Sequence, residues 1–209
     1  MLFGILIYPG VDPIDLATFG VLSTAKRIRP EIETCTIAPH GGPTVLSNGL
    51  CVLADYGIAR APRLDILIVT GGPGWVDQSR APETLAFIRR QVTEIPVVSV
   101  CTGGMILAAS GILDSKPATT KRVSVSPERS PLAQLRAEYP SVLVREASFV
   151  DAGSVVTGGG VSLCIDTMLH LLVRLFGSEM AEETARLIEY RHAWQANREK
   201  FPPFLAEVR

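Results

Sequence analysis

Much that would classify a sequence at a glance is missing from this one. Cysteine is sparse: the 209 residues hold four, at 35, 51, 101 and 164, and no two form a CxxC pair. That leaves neither a zinc ribbon nor a disulfide framework, and a chain of this length can build its core without one. Charge of one sign is missing too: 20 Lys and Arg against 21 Asp and Glu leave a net charge of -1. Such a chain draws neither a phosphate backbone nor an anionic lipid surface, so no nucleic-acid or membrane partner is expected. No apolar run reaches the length of a bilayer span. Met1 to Tyr8 is apolar, but it has no basic region ahead and no small-residue cleavage site behind, and reads as a first strand, not a signal peptide. A cytoplasmic protein is the expectation. His40, His170 and His192 fall in no ligand spacing, so no metal is expected. The glycine clusters at 71–74 and 158–160 lack G-x-G-x-x-G and G-K-[ST], which argues against a nucleotide. There is no internal repeat, low-complexity tract or linker.

What is there is an ordinary globular composition, 47% apolar and 20% charged, with apolar runs alternating with helical patterns. Leu2 to Tyr8, Ile32 to Ala38, Leu64 to Thr70 and Val97 to Val100 read as buried strands. Ile14 to Lys26, Pro82 to Thr93, Thr102 to Ser110, Pro131 to Tyr139, Val161 to Phe176 and Ser178 to Tyr190 read as helices, with Ser178 as an N-cap. Ser47-Asn48-Gly49 between apolar segments predicts a hairpin over Pro43 to Leu53. Val142 to Val144 and Phe149 to Thr157 read as further strands, turning at Asp151-Ala152-Gly153. The pattern predicts one α/β domain over 1–192, with a mostly parallel sheet between helices, and a polar C-terminal tail over 193–209 in which Pro202-Pro203 breaks any helix. In such folds the site lies at the carboxyl ends of the strands, here the loops after Tyr8, Thr70, Val100 and Thr157.

Ser99-Val100-Cys101-Thr102-Gly103 runs a short strand into a helix with almost no loop. Small residues two before and two after Cys101 match the sharp turn that presents a nucleophile in hydrolases, with cysteine as that nucleophile. The turn sets the sulfur at a helix N-terminus, where free N–H groups and the dipole favour thiolate over thiol, and it aims the Thr102 N–H at a developing anion. Cys35 and Cys51 sit inside apparent strands as inert filler. Cys164, early in an apolar helix, packs there or borders the pocket. Asp166 and His170, four apart on that helix, are placed to bond one another. Asp15 lies in the first turn of a helix, where it serves either as a dipole partner or, beside the Cys101 loop, as an acid. Trp75 is either a pocket wall or part of the core.

Ser99-Val-Cys-Thr-Gly-Gly, Thr70-Gly-Gly-Pro-Gly, Asp15-Leu16, Ala118-Thr119-Thr120 and Thr157-Gly-Gly-Gly, in that spatial set and in register from Phe3 to about Tyr190, resemble the ThiJ/PfpI superfamily. The resemblance implies a flavodoxin-like three-layer sandwich with a cysteine nucleophile elbow, related to class I glutamine amidotransferases. Ile14-Asp15-Leu16, Ser-Val-Cys-Thr-Gly and Thr157-Gly-Gly-Gly-Val-x-x-x-Ile-Asp166 are similar to the isonitrile hydratase subgroup, which adds water to an isocyanide carbon without metal or organic cofactor. By that resemblance Cys101 attacks the carbon, Asp15 is general acid and base, Thr102 positions or shares the proton, and the Gly72 and Thr102 N–H groups line the pocket; Gly71, Trp75, Lys121 and Gly159 are further candidates around a small-molecule substrate. A carboxyl crowded against a thiolate keeps a proton near neutrality, so one proton shared by the Cys101–Asp15 pair at pH 7 is the expectation.

Many relatives carry histidine where this chain has Lys121, and often an aromatic residue where it has Arg122. That departure weakens protease and deglycase or glyoxalase activities. The two basic residues either reshape the pocket toward an anionic molecule or form a solvated turn. The alternatives to an enzyme are a cysteine redox sensor and a ligand-binding regulatory module; a helix-turn-helix partner domain is not expected after Tyr190. The resemblance also implies a homodimer.

Overall fold

The computed structural model describes residues 1–206. Its chain order is β1 (Leu2–Leu6), α1 (Ala17–Lys26), β2 (Glu33–Ala38), β3 (Gly42–Val45), β4 (Cys51–Ala54), β5 (Tyr56–Gly57), β6 (Ile66–Val69), α2 (Trp75–Gln78), α3 (Pro82–Gln91), β7 (Val97–Ser99), α4 (Gly103–Ala109), β8 (Pro117–Ala118), α5 (Pro131–Glu138), β9 (Leu143–Val144), β10 (Phe149–Asp151), β11 (Val155–Gly158), α6 (Leu163–Phe176), α7 (Ser178–Leu187), α8 (Arg191–Lys200) and β12 (Phe204–Leu205). The main sheet runs β12-β10-β11-β7-β6-β1-β2-β5. Every neighbouring pair in it is parallel except β10 with β11. This is the mostly parallel α/β architecture the alternation predicts, and the flavodoxin-like fold the resemblance implies.

The strands in the middle are apolar on both faces because both faces are covered. Every residue of β6 and β7 is buried, as are four of the five in β1. α1, α6 and α7 pack together on one face, and α2, α3, α4 and α5 follow one another on the other. β3 and β4 form the hairpin around Ser47-Asn48-Gly49 as a separate two-stranded sheet. Cys51 lies exposed on it, not packed as filler; Cys35 and Cys164 are buried. The helix expected from Ile14 opens as a 3₁₀ turn, Pro13–Leu16, capped by the Asp12 side chain accepting from the Ile14 N–H at 3.3 Å. Gly177, with φ 90, caps α7 in place of Ser178, which is its first helical residue; the positive φ that the reversal from α6 needs selects glycine there.

The carboxyl end of the chain departs from the expected polar tail. Residues 191–200 form a helix that stops before Pro202, as that proline requires, and β12 then adds to β10. α8 is mostly polar because it presents one residue inward: Trp194 is 5% exposed. A second anchor replaces an expected bond. Asp166 does not meet His170. Its carboxylate accepts from the Tyr190 hydroxyl at 2.8 Å and from Asn197 Nδ2 at 3.1 Å, tying α6 to the end segment. His170 turns instead to Asp151 on β10, with Nε2 2.7 Å from Oδ2.

Truncating Trp194 separates a packed end segment from a solvated tail. Trp194→Ala is expected to lower unfolding stability by about 3 kcal/mol, the usual cost of emptying a buried aromatic site; a denaturation midpoint unchanged from the parent would return residues 193–206 to the status of a tail.

Candidate active site

β7 ends at Ser99 and α4 begins at Gly103, so three residues carry the chain from strand to helix. Cys101, in the middle, has φ 52, in the left-handed region where a side chain is strained. The surroundings hold it there. Its N–H donates to Gly159 O at 3.1 Å and its carbonyl accepts from Thr120 Oγ1 at 2.8 Å. Gly103 must be small because a Cβ would press on the Val69 and Thr70 carbonyl oxygens, the latter at 2.9 Å. Strand ends β6, β7 and β11 thus fix one strained residue, and its sulfur stands above the sheet edge.

Asp15 comes from the 3₁₀ turn after β1 and is fully buried. Oδ2 accepts from the Gly71 N–H at 2.6 Å, while Oδ1 has no hydrogen-bond partner. The Cys101 thiol lies close to this carboxyl and favours its charged form, but Oδ1 stays without a hydrogen-bond partner. An orphan acceptor in a buried site costs free energy unless it acquires a proton or a partner. Burial does push the Asp15 carboxyl up, to about 7, against the lowering effect of the Gly71 N–H; the neighbouring Asp12 raises it further, and Lys121 and Cys101 lower it.

The sulfur does not rest as the thiolate that its helix-end position suggests. Burial pushes the Cys101 thiol up to about 12, aided by the Asp15 charge, and outweighs the Thr102 N–H and Lys121, which favour the anion. α4 has only seven residues, and its dipole is too short to offset the loss of water around a nearly buried sulfur. The pair therefore holds one proton above about pH 7, and that proton sits on sulfur beside a carboxylate.

A cavity of about 330 Å³ opens over Cys101, with Thr102 and Gly72 among its other lining residues; Asp15 lies behind this lining and is not part of it. Trp75 lines it while also packing against the core, so it serves both expected roles. Lys121 borders it as well. Arg122 turns away, its guanidinium 3.9 Å from the Phe201 ring centroid and 3.4 Å from Glu146. Larger hollows lie between α7 and α8 and beside β5, about 490 and 560 Å³, but neither is lined by a cysteine.

Three of the expected backbone contacts are already in use. The Gly71 N–H serves Asp15, the Gly72 N–H donates to Thr102 Oγ1 at 2.8 Å, and Gly159 supports Cys101 from behind, outside the cavity lining. The Thr102 N–H points toward the sulfur. Cys164 is not part of the lining; its thiol points to Ile14 O at 3.9 Å. Other contributors carried weak sequence signals. Tyr8 stands buried beside the pair with its hydroxyl on Thr70 O at 2.8 Å, and it reads in sequence only as a strand end. Asp12, Glu128, Arg129 and Gln134 reach the cavity mouth from loops and from the start of α5.

A family model described as the DJ-1/PfpI family matches residues 5–174. The chain is 30% identical over 203 residues to the isonitrile hydratase of Pseudomonas putida, covering 96% of this chain and 80% of that one. It is 29% identical over 157 residues to the HTH-type transcriptional regulator GbdR of Pseudomonas aeruginosa, covering 74% of this chain but 40% of the regulator. Among solved structures, a ThiJ/PfpI family protein from Pseudomonas syringae superposes with a TM-score of 0.77 at 23% identity, covering 96% of this chain and 87% of that one. Drosophila melanogaster DJ-1beta superposes with a TM-score of 0.76 at 17% identity, covering 90% and 97%. Both structures share the fold. Among the described residues no helix is long and apolar enough to cross a membrane.

The raised Asp15 carboxyl has a stability signature. Its folded value, about 7, lies above the ordinary carboxyl value of 3.8, so the native state binds the extra proton between them. Its contribution is complete below the lower value and lost as pH rises through the upper. Asp15→Asn keeps an acceptor for the Gly71 N–H and removes the charge. It is expected to melt higher than the parent at pH 8, by roughly 4 °C or more, with the gap closing toward pH 4; equal melting temperatures at both pH values would place the carboxylate in contact with water.

Proposed function

We propose that this chain, which belongs to the DJ-1/PfpI family, is a cysteine-dependent enzyme that adds water to a small isocyanide and releases an N-substituted formamide. The observation that carries the reading is a nearly buried thiol that lines a small cavity from a strained elbow, beside a fully buried carboxyl with one unpartnered oxygen. The 30% identity to a protein named isonitrile hydratase supports the choice of substrate class.

An isocyanide carbon is weakly electrophilic and carries a lone pair that accepts a proton. It suits a site that offers a sulfur nucleophile and an acid together. In the proposed sequence the Asp15 carboxylate takes the thiol proton as the S–C bond forms, and hands it to the isocyanide carbon. The product of this step is a thioimidate, R–N=CH–S–Cys101, with Asp15 again a carboxylate. Asp15 then takes a proton from water as its oxygen adds to that carbon, and the proton passes to nitrogen. The tetrahedral species R–NH–CH(OH)–S–Cys101 collapses, the C–S bond breaks, and the hydroxyl proton returns to sulfur. Formamide leaves and the enzyme is restored. Burial serves the scheme in both halves: it keeps Asp15 close to neutral pH as a proton carrier and leaves the thiol protonated until the carboxylate removes its proton. In this scheme Thr102 Oγ1, held between the Gly72 N–H and the Gly72 carbonyl, fixes the loop that faces the sulfur. No metal or organic cofactor is required.

The likeness to transcriptional regulators supports a second reading, a ligand-binding module in which the cavity holds a small molecule without turning it over. Cyclohexyl isocyanide and formamide analysis separate the two. The parent is expected to turn over, Cys101→Ser to lose activity below detection, and Asp15→Asn to fall by about 10²-fold or more, as for loss of a general acid–base. Saturable binding with no formamide would favour the module, conversion of glyoxal to glycolate would favour a glyoxalase, and full activity in Asp15→Asn would remove the carboxyl from the mechanism.

A further inference from the structure

We propose that Lys121 is a positioning residue for Cys101: its ammonium, borne on a stem that shares with the sulfur the space above Gly160, is the charge that lets this buried thiol give up its proton and attack. This rests on Cys101 being the nucleophile, not on the electrophile being an isocyanide.

Four observations lead here. First, Lys121 borders the same cavity as Cys101, and among the described residues it enters no salt bridge. Its charge is not spent on a surface partner. Second, a Cβ placed on Gly160 would lie 2.8 Å from Lys121 Cγ, 2.9 Å from Lys121 Cβ and 3.1 Å from Cys101 Sγ. Stem and sulfur meet over one residue, and any side chain there would displace one or the other. Third, the segment carrying Lys121 is bolted to the elbow. Thr120 Oγ1 donates to the Cys101 carbonyl at 2.8 Å, the Thr119 N–H donates to Thr157 Oγ1 at 2.9 Å, and the Lys121 carbonyl accepts from the Leu132 N–H at 3.0 Å. Fourth, Lys121 is the cation acting on both members of the proton-holding pair, and it favours the charged form of each.

The charges around the sulfur show why a cation is needed. Asp12 and Asp15 reach it from the turn after β1, and both oppose a thiolate. Tyr8 just after β1 and Cys164 from α6 lie close enough to feel the anion, and each is itself pushed up by burial, so neither offers a counter-charge. The Thr102 N–H also favours the anion, and Glu128 and Arg129, of opposite charge, line the same cavity. Transferring the thiol proton to Asp15 leaves the negative charge on sulfur, and Lys121 offsets it at the moment of attack.

The test reads thiol chemistry, so it can fail while isocyanide hydration succeeds, and the reverse. Alkylation of Cys101 by neutral iodoacetamide and by anionic iodoacetate is followed by peptide mass across pH 6 to 10, where the rate tracks the small thiolate fraction of the buried thiol. The variants are Lys121→Met, which keeps the stem, Lys121→Gln as a second neutral replacement, and Lys121→Arg, which keeps the charge. Both neutral variants are expected to react with iodoacetamide about tenfold more slowly at a given pH, the fold-change that matches a thiol shifted up by about one pH unit, and Lys121→Arg to recover most of the rate. Three results would overturn the proposal: iodoacetamide rates equal to the parent in the neutral variants; slowing confined to iodoacetate, which would make Lys121 a dock for anionic molecules; or equal loss in Lys121→Arg, which would make the stem's packing the cause.

Discussion

The hydrogen bond from the Gly71 N–H to Asp15 is the contact on which the rest of the site depends. It joins the loop after β6 to the turn after β1 at 2.6 Å, and it fixes one oxygen of a carboxyl that has no access to water. The other oxygen has no hydrogen-bond partner among the described residues. Around it the protein satisfies its polar groups closely: the Gly72 N–H by Thr102, the Thr102 hydroxyl by Gly72, the Tyr8 hydroxyl by Thr70. Against such a background two orphan oxygens, Asp15 Oδ1 and the Oγ of Ser99 two residues before the strained cysteine, mark a place where stability has been given up.

The two members of the pair show two physical effects in competition. Helix ends and N–H groups favour anions; loss of water disfavours them. At Cys101 burial wins, because α4 is short and the sulfur is almost fully covered. The Cys101 sulfur is consequently not a preformed thiolate. In the proposed reaction it is a thiol with a base at hand and a cation nearby, whose charge appears only when an electrophile arrives. Such a site is selective in a way that a free thiolate is not, since a partner must enter the cavity and accept the sulfur before the anion exists.

Much of this was legible in the residues. The alternation of apolar runs and helical patterns gives the sheet and its flanking helices, and the strand-to-helix turn around Cys101 is visible because Ser99 and Gly103 leave it so little loop. Asp15 was locatable from its place after the first strand. Other features turn on packing that no local pattern encodes. Asp166 and His170 have the spacing of partners, yet each finds a better-placed one across the fold, in Tyr190 and Asp151. The amides of Gly71 and Gly72 were readable as donors, but not that Asp15 and Thr102 already occupy them. The end segment was obscured by composition: one buried tryptophan and one asparagine on a polar helix give no apolar stripe to detect.

That end segment bears on how the molecule behaves in a crowd. β12 pairs with β10 over two residues only, with one further bond from the Ala206 N–H to Asp151 O. It covers what would otherwise be a bare strand margin, the kind of ribbon that recruits a neighbour's backbone and seeds aggregates. So slight a seal opens at low energetic cost compared with the centre of the sheet, and the clamp of Tyr190 and Asn197 on Asp166 is what keeps it seated. Loss of that clamp would be felt first as insolubility on concentration or storage, well before any change at the cysteine, which lies across β11 and β7 from the exposed margin.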